Sequence, residues 1–172
     1  MPINLELKAR CSSLERAEEQ ARGAGAEERG LLRQTDTYLK SLNRRLKLRE
    51  TEGESAELIA YERGEESDER WSNYTKVTIA DPARFHEAAE KSGVLVVVRK
   101  ERKLYLYRGA RIHLDRVEGL GSFIEFEVPS EGEVDPQVLM KELRRIFGVH
   151  AKDIVKGSYS DILLEKTSHI KS

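Results

Sequence analysis

The sequence contains a single cysteine, Cys11, so no disulfide can close within the chain and no C-x-x-C zinc site can form. Long apolar runs are missing too: the longest, "VLVVV" at 94–98, is far too short to span a bilayer. The opening "MPINLELKAR" reaches a charged side chain by residue 6 and has no apolar segment of the kind a secretion signal needs. No G-x-x-x-x-G-K-S/T loop occurs, which excludes a P-loop, and "GLG" at 119–121 lacks the remainder of a dinucleotide fingerprint. Charge of one sign is not in excess either: 30 Lys and Arg face 31 Asp and Glu, a net charge of -1. Nucleic-acid and membrane-surface binders carry a lopsided basic face, so neither partner is expected. These absences predict a soluble cytoplasmic protein with a reduced thiol. Its 172 residues, free of repeats and low-complexity tracts, read as one domain over 1–172.

What is present is short strands and capped helices. Residues 3–9 ("INLELKA") alternate as a strand does. Residues 12–30 open with "SSLE", a capping box from Ser12 to Glu15, and continue as a helix that stops at Gly23 and Gly25. "QTDTYL" (34–39) is β-prone, and "RRLKLRET" (44–51) with "AELIAYER" (56–63) forms a hairpin across the turn at 53–55. After a charged loop at 64–69 comes another strand, "WSNYTKVTI" (71–79). Residues 81–93 and 135–148 each carry Asp-Pro at the start and Gly at the end, the start and stop of a helix. Between them 94–109 and 110–129 read as long strands joined by Gly-containing turns, and 158–166 is a short helix or an irregular tail. Seven or eight strands, three helices and no βαβ alternation predict an α+β protein built on antiparallel hairpins.

Successive residues of a strand point to opposite faces. Ile3, Leu5 and Leu7 therefore oppose Asn4, Glu6 and Lys8; Leu46 and Leu48 oppose Arg45, Lys47 and Arg49; Ile112 and Leu114 oppose His113 and Asp115. In "SFIEFEV" (122–128) Glu125 and Glu127 share a face about 7 Å apart. Lys76 keeps company with Tyr74 and Thr78, Lys100 and Arg102 with Leu104, and Arg63 with Tyr61. Carboxylates fall on the first and last strands and cations on the middle ones. If the helices cover the apolar side of a curled sheet, the charged faces look at one another across a barrel. Such an interior requires a ligand that answers both signs. A metal-bound polyphosphate does so, because arginines and lysines suit phosphate oxygens and clustered carboxylates suit hard divalent cations.

The chain resembles the CYTH superfamily, or triphosphate tunnel metalloenzymes, in the branch of class IV adenylate cyclases and thiamine triphosphatases. The family's opening Glu-x-Glu-x-Lys stands here as "NLELK" (4–8), followed in the family's order by "QTDTYL", "RLKLRE", "RKER" (99–102) and "IHLDRVEGLGSFIEFE" (112–127). The resemblance implies an eight-stranded antiparallel β-barrel with helices outside and a tunnel that binds a triphosphate with Mg²⁺ or Mn²⁺. The substrate would be ATP, thiamine triphosphate or inorganic triphosphate. By position it makes Glu6, Asp115, Glu125 and Glu127 metal ligands, with Glu6 or Asp115 as the catalytic proton acceptor. It makes Lys8, Arg45, Lys47, Arg49, Arg63, Lys76, Lys100 and Arg102 phosphate contacts, the Arg63 assignment being open to a one-residue slip onto Glu62. A triphosphatase, an adenylate cyclase and a homodimeric assembly are all compatible with it. One departure stands out: Asn4 replaces the first glutamate, which removes a charge from the cation site and keeps a non-catalytic polyphosphate- or nucleotide-binding module in view.

Overall fold

The computed structural model describes residues 3–40, 45–63 and 68–170. Among them are eight strands: β1 (Ile3–Arg10), β2 (Glu27–Leu39), β3 (Arg45–Thr51), β4 (Ala56–Arg63), β5 (Arg70–Ile79), β6 (Val94–Tyr107), β7 (Ala110–Val117) and β8 (Gly121–Pro129). Four α-helices accompany them: α1 (Leu14–Gly23), α2 (Pro82–Ser92), α3 (Pro136–Phe147) and α4 (Tyr159–Ile170). The strands close into one antiparallel barrel in the order β1-β5-β4-β3-β2-β6-β7-β8. None of the described helices is long and apolar enough to cross a membrane.

Local chemistry sets the boundaries. Asp135 accepts from the amides of Gln137 and Val138 at 2.9 and 3.1 Å to start α3, and Gly148 at φ 62 ends it in the left-handed region that glycine tolerates best. The β6–β7 hairpin turns on Arg108 and Gly109, both at positive φ, which matches the twist of the flanking strands. The start of α1 differs from expectation by one residue. The Cys11 amide still bonds to the Ser122 carbonyl at 3.0 Å, prolonging the sheet, so Ser13 rather than Ser12 caps the helix, its Oγ accepting from the Arg16 amide. Strand β2 starts at Glu27, well before 34, because pairing with β6 overrides the poor strand propensity of "EERG". The tail at 158–166 is helical, as α4, and is longer than expected. The charged loop expected at 64–69 lies largely outside the described residues.

The alternation sorts the barrel into an apolar outside and a charged inside. Leu5, Leu7, Ile112, Leu114, Ile124, Phe126 and Val128 point outward and pack under α1 and α3, against Ala17, Ala21, Leu139, Met140, Leu143 and Phe147. Burying each large side chain here stabilises the fold by about 1.5–3 kcal/mol. Phe126 and Phe147 meet at 5.4 Å between ring centres. A second cluster, including Tyr38, Tyr61, Val98, Phe123 and Tyr159, fills the barrel end where α4 begins. Closure joins β1 to β8, which brings the two carboxylate-bearing strands together in register: Glu6 opposite Glu127 and Lys8 opposite Glu125.

Candidate functional site

The barrel encloses a cavity of about 780 Å³ lined from every strand. Its basic wall is organised on a buried aspartate. Asp36 of β2 accepts from Arg49 through Nε and Nη2 at 2.8 and 2.7 Å, from Lys47 at 3.0 Å and from Lys100 at 3.3 Å. Burial alone would raise the Asp36 carboxyl, yet Arg49, Lys100 and Lys47 hold it well below its usual range. Burial and the neighbouring Arg102 push Lys100 well below the ordinary lysine range, against the pull of Asp36. The arrangement therefore gathers three basic side chains on one counter-ion, and an entering anion would favour the charged form of Lys100.

Arg102 has a counter-ion of its own. It grips both Asp115 oxygens at 2.8 and 2.7 Å, while the Tyr159 hydroxyl donates to the same carboxylate at 2.6 Å. Burial opposes the ionised form of Asp115, but Arg102 overrides it and the carboxyl sits at about 2. This fully buried group does not line the cavity.

Facing these cations is the wall made by β1, β8 and β7. Glu6 and Glu127 are register partners on its inner side, about 5 Å apart at Cβ, a like-charge pairing that a cation would relieve. Glu125 lies 3.5 Å from Lys8 and from Arg102. His113 Nδ1 is 3.0 Å from Glu125 Oε1 and 3.9 Å from Glu127 Oε1. Burial would raise the Glu125 carboxyl, and Lys8, the His113 hydrogen bond and Arg102 together hold it well below the usual range. Three carboxylates, an imidazole and the amide of Asn4 are a donor set that fits a divalent cation.

At one end Ser158 and Tyr159 of the α4 start line the cavity, the tyrosine ring 3.9 Å beneath the Lys8 ammonium. Ser158 and Asp161 cap α4 reciprocally: Ser158 Oγ accepts the Asp161 amide at 3.2 Å, and Asp161 Oδ2 accepts the Ser158 amide at 2.9 Å. Arg45 donates to the same pair, at 2.7 Å to Asp161 and 2.9 Å to Ser158. At the opposite end the lining turns partly apolar, with Leu32, Leu104 and Leu106 near Arg29 and Arg111.

The CYTH domain family model matches residues 2–159. The chain belongs to the CYTH family. No curated protein matches its sequence. Among solved structures, a Pyrococcus horikoshii protein superposes with a TM-score of 0.82 at 23% identity, covering 92% of this chain and 98% of that one. A candidate adenylate cyclase from Vibrio parahaemolyticus gives 0.74 at 20% identity, with 94% and 97% covered. A Hippeastrum protein, a candidate adenylyl cyclase described as having a dominant triphosphatase activity, gives 0.64 at 14%, with 97% and 96% covered. At these identities the likeness concerns the fold.

In this CYTH barrel the expected residues separate into three groups. Glu6, Lys8, Lys47, Arg49, Lys76, Lys100, Arg102, Glu125 and Glu127 all line the tunnel. Arg45 and Asp115 are placed otherwise: Arg45 anchors α4, and Asp115 lies behind Arg102, because each finds a closer partner than the tunnel offers. The Arg63 side chain lies outside the described residues, and its alternative, Glu62, is exposed on the barrel's outer face. Arg29, Arg111 and Tyr159 also line the cavity, and Asp36 backs its basic wall; none of the four is among the expected residues. The parity of "RIHLDRV" places Arg111 with His113, and Asp36 sits between Gln34 and Tyr38 on the inner face of "QTDTYL". Cys11 takes no part: burial pushes its thiol up, away from a reactive thiolate.

Proposed function

We propose that this CYTH protein binds the triphosphate of an organic compound in its tunnel, together with Mg²⁺ or Mn²⁺, and hydrolyses it. The observation that carries this reading is the opposition of the two walls across one cavity: cations on β2, β3 and β6, carboxylates on β1 and β8. Lys47, Arg49, Lys100 and Arg102 are held by Asp36 and Asp115 before any anion arrives, so little reorganisation is needed when phosphate oxygens replace water. Glu6, Glu125 and Glu127 are the residues that would hold the cation. Bound there, it would supply Lewis acidity to the phosphate oxygens and to the attacking water.

Glu6, half-buried on that wall, takes the proton of the water. Asp115 is the poorer acceptor, since its oxygens are committed to Arg102 and Tyr159 and its carboxyl stays ionised down to about pH 2. Leu32, Leu104 and Leu106 receive the organic portion, which favours ATP or thiamine triphosphate over inorganic triphosphate.

The test is incubation of the purified protein with ATP, thiamine triphosphate and inorganic triphosphate, each with Mg²⁺ or Mn²⁺. Orthophosphate release that falls about 10²–10⁴-fold in Glu6→Gln is expected. Cyclic AMP with pyrophosphate would replace the hydrolase by a cyclase. Asn4 favours a second reading, a tunnel that binds without turnover. In that case binding is retained without product, and Asn4→Glu restores activity.

A further inference from the structure

His113 has no part in the proposed hydrolysis, yet its ring is turned into the acidic wall. Nδ1 stands 3.0 Å from Glu125 Oε1 and 3.9 Å from Glu127 Oε1, and the three donor atoms all lie within 4.8 Å of one another. A divalent ion with bonds of about 2.1 Å separates neighbouring donors by about 3 Å and opposite donors by about 4.2 Å. The spacing in the protein is therefore close to that of a coordination set.

On the adjoining strand, Asn4 shares the inner face with Glu6 and presents a neutral amide at the place of a carboxylate. The candidate cation site thus has a single carboxylate on β1 and an imidazole on β7. Oxygen-only sets suit Mg²⁺, whereas an imidazole donor strengthens binding of first-row transition ions. We propose that His113 is a direct nitrogen ligand of the tunnel's cation and shifts the site's preference from Mg²⁺ towards transition-metal divalents, with Mn²⁺ as the ion to test. The inference rests on the cation-dependent reading above and adds the identity of the ion.

The experiment is pulsed electron paramagnetic resonance of the full chain loaded with Mn²⁺, with and without inorganic triphosphate. A ¹⁴N modulation from a directly bound nitrogen is expected, replaced by the ¹⁵N pattern when the protein is grown on ¹⁵N-histidine. In His113→Gln the modulation disappears, and calorimetry shows Mn²⁺ affinity falling about 10–100-fold with a much smaller change for Mg²⁺. The isotope substitution is made on the wild type, so the assignment of histidine survives a variant that fails to fold. Mn²⁺ bound in the tunnel without histidine modulation overturns the His113 assignment and leaves the proposed hydrolysis standing. Absence of Mn²⁺ binding even with triphosphate present overturns both.

Discussion

Inside the tunnel, Lys47, Arg49, Lys100 and Arg102 rest on two buried aspartates at 2.7–3.3 Å. Nearer the solvent, Lys76 of β5 is 40% exposed and 3.8 Å from a Glu57 that is almost as open. The same chemical groups serve different ends. Buried pairs fix guanidinium and ammonium groups in place, so their orientation is set before an anion arrives. Exposed pairs are screened by solvent and salt and guide an anion without holding it firmly. The carboxylates divide accordingly: Asp36 and Asp115 position basic side chains, while Glu6, Glu125 and Glu127 line the opposite wall, where the proposed function puts the metal ion.

The largest effect should come from removing the counter-ion shared by three cations. Asp36→Ala leaves Arg49, Lys47 and Lys100 in mutual repulsion, and chemical denaturation should show a loss of about 3–5 kcal/mol. Saturating triphosphate should recover part of that loss, since it supplies the missing negative charge; a variant as stable as wild type would erase the contrast between buried and exposed pairs.

Asp115 gives a smaller, pH-dependent effect. Its folded pKa of about 2 lies below the ordinary 3.8, so its stabilisation is complete above about pH 4 and disappears as pH falls through 2. The difference corresponds to about 2 kcal/mol. The acid limb of the stability curve should be shallower by that amount in Asp115→Asn, which stability measured from pH 5 to pH 2 will show or refute.

Smaller again is Arg45→Ala, which cuts the half-exposed tie between β3 and the α4 cap. About 1 kcal/mol or less is expected globally, with faster amide exchange concentrated in α4. Lys76→Ala sharpens the comparison from its exposed side. A rise of a few fold in KM at low salt should vanish at high ionic strength, and an equal rise at both would place Lys76 among the fixed contacts.

Much of this was legible because a barrel wall obeys a period of two. Once Ile3, Leu5 and Leu7 are seen to alternate with Asn4, Glu6 and Lys8, the inner and outer faces of β1 follow, and the same rule sorted β3, β7 and β8. The Asp-Pro starts and Gly stops gave α2 and α3 for similarly local reasons. Pairing between distant strands is not a local property, and there the sequence was less informative. Asp36 becomes a hub only when β2 lies between β3 and β6, and Arg45 turns to Asp161, 116 residues away, because α4 folds across the barrel end. The start of β2 at Glu27 has the same origin, its pairing with Leu106 far along the chain. Parity would have found Arg111, and the Ser158-x-x-Asp161 pattern would have found the start of α4.

Where a triphosphate settles is decided by the charged tunnel walls or by the outer surface. Crystals grown with Mn²⁺ and a non-hydrolysable triphosphate analogue, measured by anomalous diffraction at the manganese edge, would locate the ion and the phosphates together. The expected result is a manganese peak beside Glu125 and Glu127, with phosphate oxygens against Lys100 and Arg102. A peak and phosphates on the outer surface of the barrel, with the tunnel unchanged, would contradict it.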